Sequence, residues 1–417
     1  MRPKSGAGSV TPVGHNGPVR RGLAAISLAV LVLAPLARAA RLPLATRLAN
    51  ALAVPGISAA SSGAVAVDLA TGQTLFARNP DTPLAPASNE KLTVTFTALQ
   101  ELGATYRFRT EVLGRGRQDG AVWHGDVYLK GFGDPTLTSL GLERLATQLR
   151  LAGITRIDGR VLGDESWFDA ERTAPGWKAV FLVNDCPPLS ALAVDRAVYE
   201  HQIAVQPALA AAGRFRQLLR KHGITAGPSG IGRAPEGAYG LAQIESHALP
   251  DLLATMDRES DNFIAEELLK AIGAEVGVGG TTAAGAAVVR RDLTAAGIPL
   301  AGVRIVDGSG LSLADRLTAR ALEMLLAFAW NDPDLHQPLW AALPVAGVSG
   351  TLEDRMQHAP ARGAVRAKTG TTDRASALSG YVRDRYVFAV LENGWPVSTW
   401  SARKAQDRFA TALASAL

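Results

Sequence analysis

The 417-residue sequence contains one cysteine, Cys186, and few charged residues. A single thiol cannot form an intramolecular disulfide, which excludes the small disulfide-stapled scaffolds common among secreted domains. Charged residues make up 19% of the chain and hydrophobic residues 47%, which is the balance of a globular protein. The length allows two or three domains with a sizeable core.

Metal-binding and phosphate-binding motifs are missing. The seven histidines show neither His-x-x-x-His nor His-x-x-Glu-His spacing, and one cysteine cannot build a zinc cluster. No Gly-x-x-x-x-Gly-Lys-Ser/Thr loop occurs. The stretch "DGSGLS" at 307–312 lacks the strand-to-helix setting of a Gly-x-Ser-x-Gly nucleophile elbow, so we interpret it as a loop. We therefore expect no metal and no cofactor.

The positive charge of the chain is concentrated at its N-terminal end. The formal net charge is +5, and the first 39 residues hold five basic residues and no acidic one. The remainder is therefore close to neutral. Charge gives no reason to expect a nucleic-acid partner.

The same N-terminal segment has the pattern of an export signal. Arg20 and Arg21 precede the apolar run "GLAAISLAVLVLAPLA", and Ala37-Arg38-Ala39 follows it. This order predicts a cleaved signal peptide over residues 1–39. An uncleaved anchor is the alternative, but the run is short for a span of about 20 residues. No later stretch could span a membrane, so we expect export to the periplasm or cell envelope of a bacterium, without an integral membrane segment in the mature chain.

The two ends of the chain show patterns of strands and helices, whereas the middle of the chain shows mainly short strand-like runs. Apolar residues at 64–67, a turn at 70–72 and a further strand predict a hairpin, followed by a helix that starts near Ser88 and stops at Gly103. Short strand-like runs broken by Gly and Asp fill the middle, and helices and then strands return after it. The phrase Gly-Ile recurs after three helical patterns, at 153–154, 223–224 and 297–298, as C-terminal caps before strands.

These patterns predict one split domain that carries an insertion. We expect the first part of the split domain at 40–106, a strand-rich accessory domain at 107–240, and the second part at 241–417.

A serine and a lysine stand one turn apart in "SNEK", at the predicted helix start. Ser88 and Lys91 would share one face of the helix because residues i and i+3 are neighbours there. A desolvated lysine can act as a base near neutral pH. Backbone N–H groups of a helix N-terminus favour an alkoxide or an oxyanion. Alone, however, Ser88 is equally an ordinary helix-cap serine.

Two further motifs follow in the chain. Ser260-Asp261-Asn262 comes just before a helical pattern, where Ser, Asp and Asn are also common caps. Lys368-Thr369-Gly370, followed by Thr371, ends a strand-like run. An edge strand of this kind can pair with an extended peptide, and the missing side chain of Gly370 lets a substrate backbone come close. A charged, glycine-broken edge strand also serves to prevent aggregation.

The order Ser-x-x-Lys, Ser-Asp-Asn, Lys-Thr-Gly is the motif set of penicillin-binding proteins and class A β-lactamases. The chain resembles the D-alanyl-D-alanine carboxypeptidase/endopeptidase group of the penicillin-binding protein 4 type, peptidase family S13. Segments that carry the resemblance are "GDVYLKGFGDPTL", "IDGRVLGDESWFD", "APGW", "VDGSGLS" and "PVAGVSGTL". The resemblance implies an α/β fold of the β-lactamase/transpeptidase type, with an antiparallel sheet flanked by helices and an inserted accessory domain. A further small domain nested in the insertion of larger members is expected to be missing or reduced here.

The resemblance also implies the catalytic roles. Ser88 would attack the carbonyl between two terminal D-alanines and form an acyl-enzyme, with Lys91 as its base. Ser260 would pass a proton to the leaving amine. Asn262 would bind the substrate backbone and hold Lys91. Lys368 would support Ser260 electrostatically.

Substrate binding is implied at the third motif. Thr369, Gly370 and Thr371 would bind the peptide, and Lys368 with either threonine would bind its terminal carboxylate. Backbone N–H groups of Ser88 and Thr371 would form the oxyanion hole.

Partners implied in this way are peptidoglycan stem peptides and β-lactams. The resemblance also leaves open endopeptidase activity on cross-linked peptides. Two alternatives stay open: a catalytically weak peptidoglycan-binding paralogue, and a β-lactamase. The intact set of Ser88, Lys91, Ser260, Asn262 and Lys368 favours the working peptidase.

Overall fold

A computed structural model gives the fold of residues 42–417. The predicted signal peptide at 1–39 lies outside these described residues. None of the helices within 42–417 combines the length and the apolar character needed to cross a bilayer.

Helices and strands are interspersed along the described chain, apart from an unbroken run of helices over residues 249–342. The helices are α1 (Leu44–Ala51), α2 (Lys91–Leu102), α3 (Ser139–Leu151), α4 (Phe181–Asn184), α5 (Pro207–Lys221), α6 (Leu249–Arg258), α7 (Asn262–Val276), α8 (Thr282–Ala295), α9 (Ala319–Asn331), α10 (His336–Ala342) and α11 (Thr399–Ala414). The strands are β1 (Ser62–Asp68), β2 (Thr74–Arg78), β3 (Arg109–Asp119), β4 (Val122–Gly131), β5 (Arg156–Ile157), β6 (Val161–Asp164), β7 (Val198–Tyr199), β8 (Gln202–Ile203), β9 (Thr225–Ala226), β10 (Ser229–Ile231), β11 (Tyr239–Glu245), β12 (Val365–Thr371), β13 (Ala375–Val382) and β14 (Tyr386–Asn393).

The first sheet joins the two ends of the described chain. Its five antiparallel strands run in the order β12-β13-β14-β1-β2, so β1 pairs with β14, far away in sequence, as well as with the hairpin partner β2. Strands β1 and β13 are buried along their whole length, because helices cover both faces of the sheet. This is the antiparallel sheet flanked by helices that the sequence predicts.

Helices pack on the two faces of this sheet in separate cores. One core joins α1 and α11 to the strands and includes Phe388 and Phe409. The other joins the sheet to α2, α6, α7, α8 and α9. Helix α2 lies at the centre of the second core, where every residue from Lys91 to Leu99 is buried. The Ser-x-x-Lys motif thus opens a helix whose first turns are shielded from water.

The second sheet is built from the middle of the chain. Strands β10, β6, β4, β3 and β11 form its main path, and the short β5 and β9 attach to it. Helices α3 and α5 cover one face with their own core, which includes Leu145 and Phe215. Between β6 and α5, the residues described form a two-stranded ribbon, β7–β8, and no further sheet.

We propose that the inserted domain begins after Phe108 and ends at Glu245. Ser246 N donates to Phe108 O at 2.9 Å, and Phe108 N donates to Ser246 Oγ at 3.0 Å, so the two ends of the segment meet. The expected boundary at residue 240 falls inside β11, which pairs with β3 along Tyr239–Glu245. Because β11 belongs to the sheet of the insertion, we propose the boundary at the end of β11 and not inside it.

The three Gly-Ile phrases end helices as predicted, and strands β5 and β9 follow the first two, whereas no strand follows the third before α9. Gly153, Gly223 and Gly297 all have positive φ, after α3, α5 and α8. Each following isoleucine donates its N–H to a carbonyl five residues earlier, at 3.2, 2.9 and 2.9 Å, and is buried. This is the cap in which a left-handed glycine turns the chain and an apolar residue seals the helix end.

Candidate active site

The three motifs meet where the edge of the first sheet approaches α2 and the α6–α7 loop. Ser88 lies in a single 3-10 turn, Ala87–Glu90, that leads directly into α2. Ser260 is in the loop between α6 and α7 and has a φ of 60°. Asn262 is the first residue of α7, and Lys368 lies on the edge strand β12.

Lys91 connects the first two motifs. Its side chain is fully buried, and its Nζ lies 3.0 Å from Ser88 Oγ and 2.8 Å from Asn262 Oδ1. A third contact, at 2.7 Å, is to the backbone carbonyl of Ser309. The sequence predicts the first two contacts, and the third comes from the "DGSGLS" stretch interpreted above as an ordinary loop. That loop therefore belongs to the site.

Lys368 connects the second and third motifs. This lysine is also fully buried, and its Nζ donates to Ser260 Oγ at 2.9 Å and to Thr369 O at 3.0 Å. Each lysine thus contacts one of the two serines. Proton transfer through a hydroxyl needs a partner within this reach.

Burial weakens the charged form of both lysines. It lowers the pKa of Lys91, and the acidic groups of Asp307 and Glu266 oppose that shift. Burial and the neighbouring charge of Lys91 lower the pKa of Lys368 to about 7. Titratable groups that face Lys91 come from several elements: Glu90, Asp257, Asp261, Glu266, Asp307 and Lys368.

Hydrogen bonds with residues of the insertion fix the position of the α6–α7 loop and of Asn262 after it. Arg196 donates two hydrogen bonds to the Asp261 carboxylate, at 2.7 and 2.9 Å. Asp261 also caps α7, accepting from Ile264 N at 3.0 Å. Asn262 Nδ2 donates to Asp185 O at 3.0 Å, which directs its Oδ1 towards Lys91. Sequence reasoning did not single out Arg196 or Asp185, since an arginine and a backbone carbonyl carry no recognisable spacing.

The edge strand packs against the serine turn. Asn89 Nδ2 donates to Lys368 O at 3.1 Å, and a Cβ added at Gly370 would lie 2.9 Å from Pro86 O. The close approach that glycine permits at 370 is thus an internal one, between β12 and the turn that carries Ser88. Close approach of a substrate is not needed to explain this glycine.

The outer side of β12 carries free hydrogen-bonding groups near its end. Ala367 N donates outward to Pro344 O at 3.1 Å. Alternate residues of a strand direct their N–H groups to the same side, so those of Thr369 and Thr371 also face outward. Thr369 Oγ1 is 2.7 Å from Thr351 Oγ1. Past Ala367, the strand presents an edge of the kind that accepts an extended peptide.

Within residues 42–417, no cluster of three or more His, Cys, Asp or Glu residues is arranged to hold a metal ion. What the site does offer is two buried lysines, two serines and an amide within hydrogen-bonding distance. Such a fold and motif set define the class that comprises penicillin-binding proteins and serine β-lactamases.

Comparison with known proteins places the chain within that class. The model of the D-Ala-D-Ala carboxypeptidase 3 (S13) family matches residues 44–207 and 191–416. A D-alanyl-D-alanine carboxypeptidase of Actinomadura sp. is 32% identical over 82% of this chain and 79% of the relative. A carboxypeptidase of Mycobacterium tuberculosis is 34% identical over 83% of this chain and 78% of the relative. The chain belongs to the S13 family and is a D-Ala-D-Ala carboxypeptidase of the serine type, as the sequence predicts.

Solved structures agree on the fold. The crystal structure of penicillin-binding protein 4 from Haemophilus influenzae superposes with a TM-score of 0.79 and 24% identity, covering 89% of this chain and 98% of that one. The same protein complexed with a β-lactam gives a TM-score of 0.75 at 23% identity, with the same coverage. An endopeptidase of Bdellovibrio bacteriovorus gives 0.54 at 18% identity, covering 85% of this chain and 92% of that one.

Proposed function

We propose that the protein removes the terminal D-alanine of peptidoglycan stem peptides through an acyl-enzyme on Ser88. The observation that carries the proposal is the 3.0 Å contact between Lys91 Nζ and Ser88 Oγ, together with the full burial of the Lys91 side chain. A neutral amine at this position can take the hydroxyl proton as the oxygen attacks the peptide carbonyl.

Departure of the D-alanine amine requires a proton donor. We assign this step to Ser260, whose hydroxyl lies 2.9 Å from Lys368 Nζ. Lys368 can replace the proton that Ser260 delivers, because its lowered pKa of about 7 allows exchange near neutral pH. Water then hydrolyses the ester at Ser88.

Substrate placement is assigned to the edge strand and to the helix start. An extended peptide would pair with the outer side of β12 at Thr369, Gly370 and Thr371, and Lys368 with Thr369 or Thr371 would attract its terminal carboxylate. The outward N–H of Thr371 and the N–H of Ser88 would hold the oxyanion. Asn262 would bind the substrate backbone while its Oδ1 fixes Lys91.

The same site would be acylated by β-lactams, whose ring carbonyl takes the place of the peptide carbonyl. The β-lactam complex of the Haemophilus penicillin-binding protein 4 supports this assignment on a shared fold. Hydrolysis of cross-linked peptides would make the protein an endopeptidase as well, as the Bdellovibrio neighbour is by its name. We propose that the protein acts in the periplasm or cell envelope, where such substrates lie, and that it is exported through the signal predicted at 1–39.

Labelling with a fluorescent penicillin tests the nucleophile. We expect wild-type protein to carry a covalent label and Ser88→Ala to carry none. Ser401→Ala removes a buried serine of α11 and serves as the matched control, with full labelling. Labelled Ser88→Ala, or unlabelled wild type in a folded state, would contradict the proposal.

The substrate assay separates the alternatives left open above. Release of D-alanine from a pentapeptide identifies the carboxypeptidase, and cleavage of a cross-linked dimer identifies the endopeptidase. Rapid loss of the penicillin label would instead favour a β-lactamase. A stable fold that binds peptidoglycan without either cleavage would identify the weak paralogue.

A further inference from the structure

The loop at 307–312 contacts the catalytic lysine, yet none of its side chains has a role in the proposed reaction. Its contribution is a backbone atom, the Ser309 carbonyl, which accepts from Lys91 Nζ at 2.7 Å. That distance is the shortest of the three contacts that Lys91 makes. The position of this carbonyl therefore affects the direction in which the amine points.

Buried carboxyl groups hold the loop by its backbone. Glu266 Oε1 accepts from Gly308 N at 3.1 Å and from Ser309 N at 2.8 Å. Asp307 accepts from the N–H groups of Gly310 and Ser312, both at 2.7 Å. Glu266 and Asp307 are both fully buried. Burying a carboxyl group costs free energy unless the group is hydrogen-bonded. The hydrogen bonds that these two carboxyl groups accept also fix the loop in one conformation.

The loop also touches the other end of the serine turn. Gly310 has a φ of 81°, and a Cβ added there would lie 1.9 Å from Ala87 O, the carbonyl immediately before Ser88. The loop thus fits against both Ala87 and Lys91, the two sides of the nucleophile. A displacement of the loop would move the base relative to the hydroxyl.

The chemistry of a neutral amine shows why two acceptors matter. Such an amine has two N–H donors and one lone pair. The Ser309 carbonyl and Asn262 Oδ1 can only accept, so they take the two N–H groups. The lone pair is then left for the third neighbour, the Ser88 hydroxyl, which is the orientation a general base needs.

We infer that Glu266 is a positioning residue for the reaction, acting through the Ser309 carbonyl to orient Lys91 towards Ser88. The inference rests on the proposed function, because it presumes that Lys91 is the base. Burial and the charge of Asp307 raise the pKa of Glu266 to about 8, so at pH 7 the neutral carboxyl predominates. Glutamine has the same shape as that neutral form and keeps an oxygen to accept the two N–H bonds.

The test compares Glu266→Ala with Glu266→Gln in a time course of labelling by fluorescent penicillin at pH 7. Glu266→Ala should slow acylation roughly ten- to a hundredfold, the penalty of a small misplacement of a catalytic group, while reaching the same final extent of labelling. Glu266→Gln should restore a rate close to wild type. A merely structural loss would reduce the final extent and leave the rate of the remaining folded protein unchanged.

Glu267 provides the matched control. This neighbour on α7 is equally buried and accepts from Ser190 N at 2.8 Å, away from the 307–312 loop. Glu267→Ala should lower the melting temperature and keep the wild-type acylation rate. Wild-type speed in Glu266→Ala, equal slowing in Glu267→Ala, or a glutamine variant as slow as alanine would each overturn the inference.

Two further variants keep the result interpretable. If Glu266→Ala does not fold, Gly310→Ala displaces the loop from the Ala87 side and should give the same slow rate at full final labelling; a wild-type rate would overturn the inference. Ser88→Ala in the same assay tests the proposed function separately. Label that persists in Ser88→Ala would show that the nucleophile is wrong, whatever Glu266 does.

Discussion

At the scale of single residues, the site depends on what burial does to two lysines. Exposed lysines have pKa values near 10.4 and are poor bases at neutral pH. Lys91 and Lys368 are both fully buried, and each keeps hydrogen-bond partners that hold its amine in place. A chain can thus obtain bases from lysine without a histidine, provided the fold removes water from them.

The pH dependence of acylation follows from Lys91. Burial lowers the pKa of Lys91 below 10.5, and only the neutral amine accepts the Ser88 proton. The acylation rate should therefore rise with pH through an apparent pKa below that value. The measurement is the rate of penicillin acylation across pH, with stability followed at each point. A rate that falls as pH rises through this range would refute Lys91 as base.

Replacement of Lys91 by arginine keeps the charge and removes the base. A guanidinium does not lose its proton in proteins, so Lys91→Arg should slow acylation by about 10²- to 10⁴-fold. Lys270→Arg is the control, since Lys270 is also fully buried and pairs with Asp169 outside the site. The control should acylate at nearly the wild-type rate. Comparable slowing of both variants would point to general damage instead.

At the scale of elements, the site is assembled at element ends. A 3-10 turn, the start of α7 and the open end of β12 each contribute a motif, because backbone groups are unpaired at such places. The capped start of α7 matters in particular. The Asp261 carboxylate accepts one hydrogen bond from the helix, at Ile264 N. It accepts two more from the guanidinium of Arg196, which belongs to the insertion.

Removal of that cap should affect both stability and rate. Asp261→Ala loses a helix cap, which costs about 0.5–2 kcal/mol of unfolding free energy. The rate of acylation should fall too, because Asn262 follows directly and holds Lys91. Asp261→Asn keeps a capping oxygen and should be intermediate in stability. Denaturant unfolding and penicillin acylation measure the two effects.

The cap of helix α8 provides a control that separates the loss of stability from the loss of acylation rate. Thr281 caps it, accepting from Ala284 N at 3.0 Å, and belongs to none of the three motifs. Thr281→Ala should lose similar stability and keep its acylation rate. If Asp261→Ala also acylates normally, the α7 cap has no part in placing Asn262.

At the scale of the whole molecule, the first sheet closes only when both ends of the described chain are present. Strand β14 lies between β13 and β1, so residues 62–68 and 386–393 complete one another. The proposed insertion, in contrast, leaves and returns at one point, between Phe108 and Ser246. Its second sheet has a core of its own with α3 and α5.

An isolated fragment tests the insertion as a domain. We expect residues 107–247 to unfold cooperatively on heating, because their core is internal and their ends are hydrogen-bonded to each other. Circular dichroism during thermal unfolding is the measurement. Phe215→Ala, a change at a fully buried core position, should cost about 3–5 kcal/mol and abolish the transition. A wild-type fragment without a transition would contradict the domain proposal.

Much of this protein is readable in its sequence because local rules govern it. The hairpin, the helix after Ser88 and the Gly-Ile helix ends follow from periodicity and from the left-handed preference of glycine. The motif residues could be named because their side chains define the chemistry, and the contacts of Lys91 with Ser88 and Asn262 could be expected from helical spacing and from the motif set.

Tertiary structure alone decided the rest. The Ser309 carbonyl is a backbone atom, so no residue type marks it, and the "DGSGLS" segment reads as a loop until folding brings it to Lys91. Glu266 and Asp307 look like ordinary acids, and only burial makes their hydrogen bonds consequential. The hydrogen-bonded ion pair of Arg196 and Asp261 joins residues 65 positions apart in the chain. The sequence determines which groups can react, and packing determines where they point, because orientation depends on contacts between distant segments.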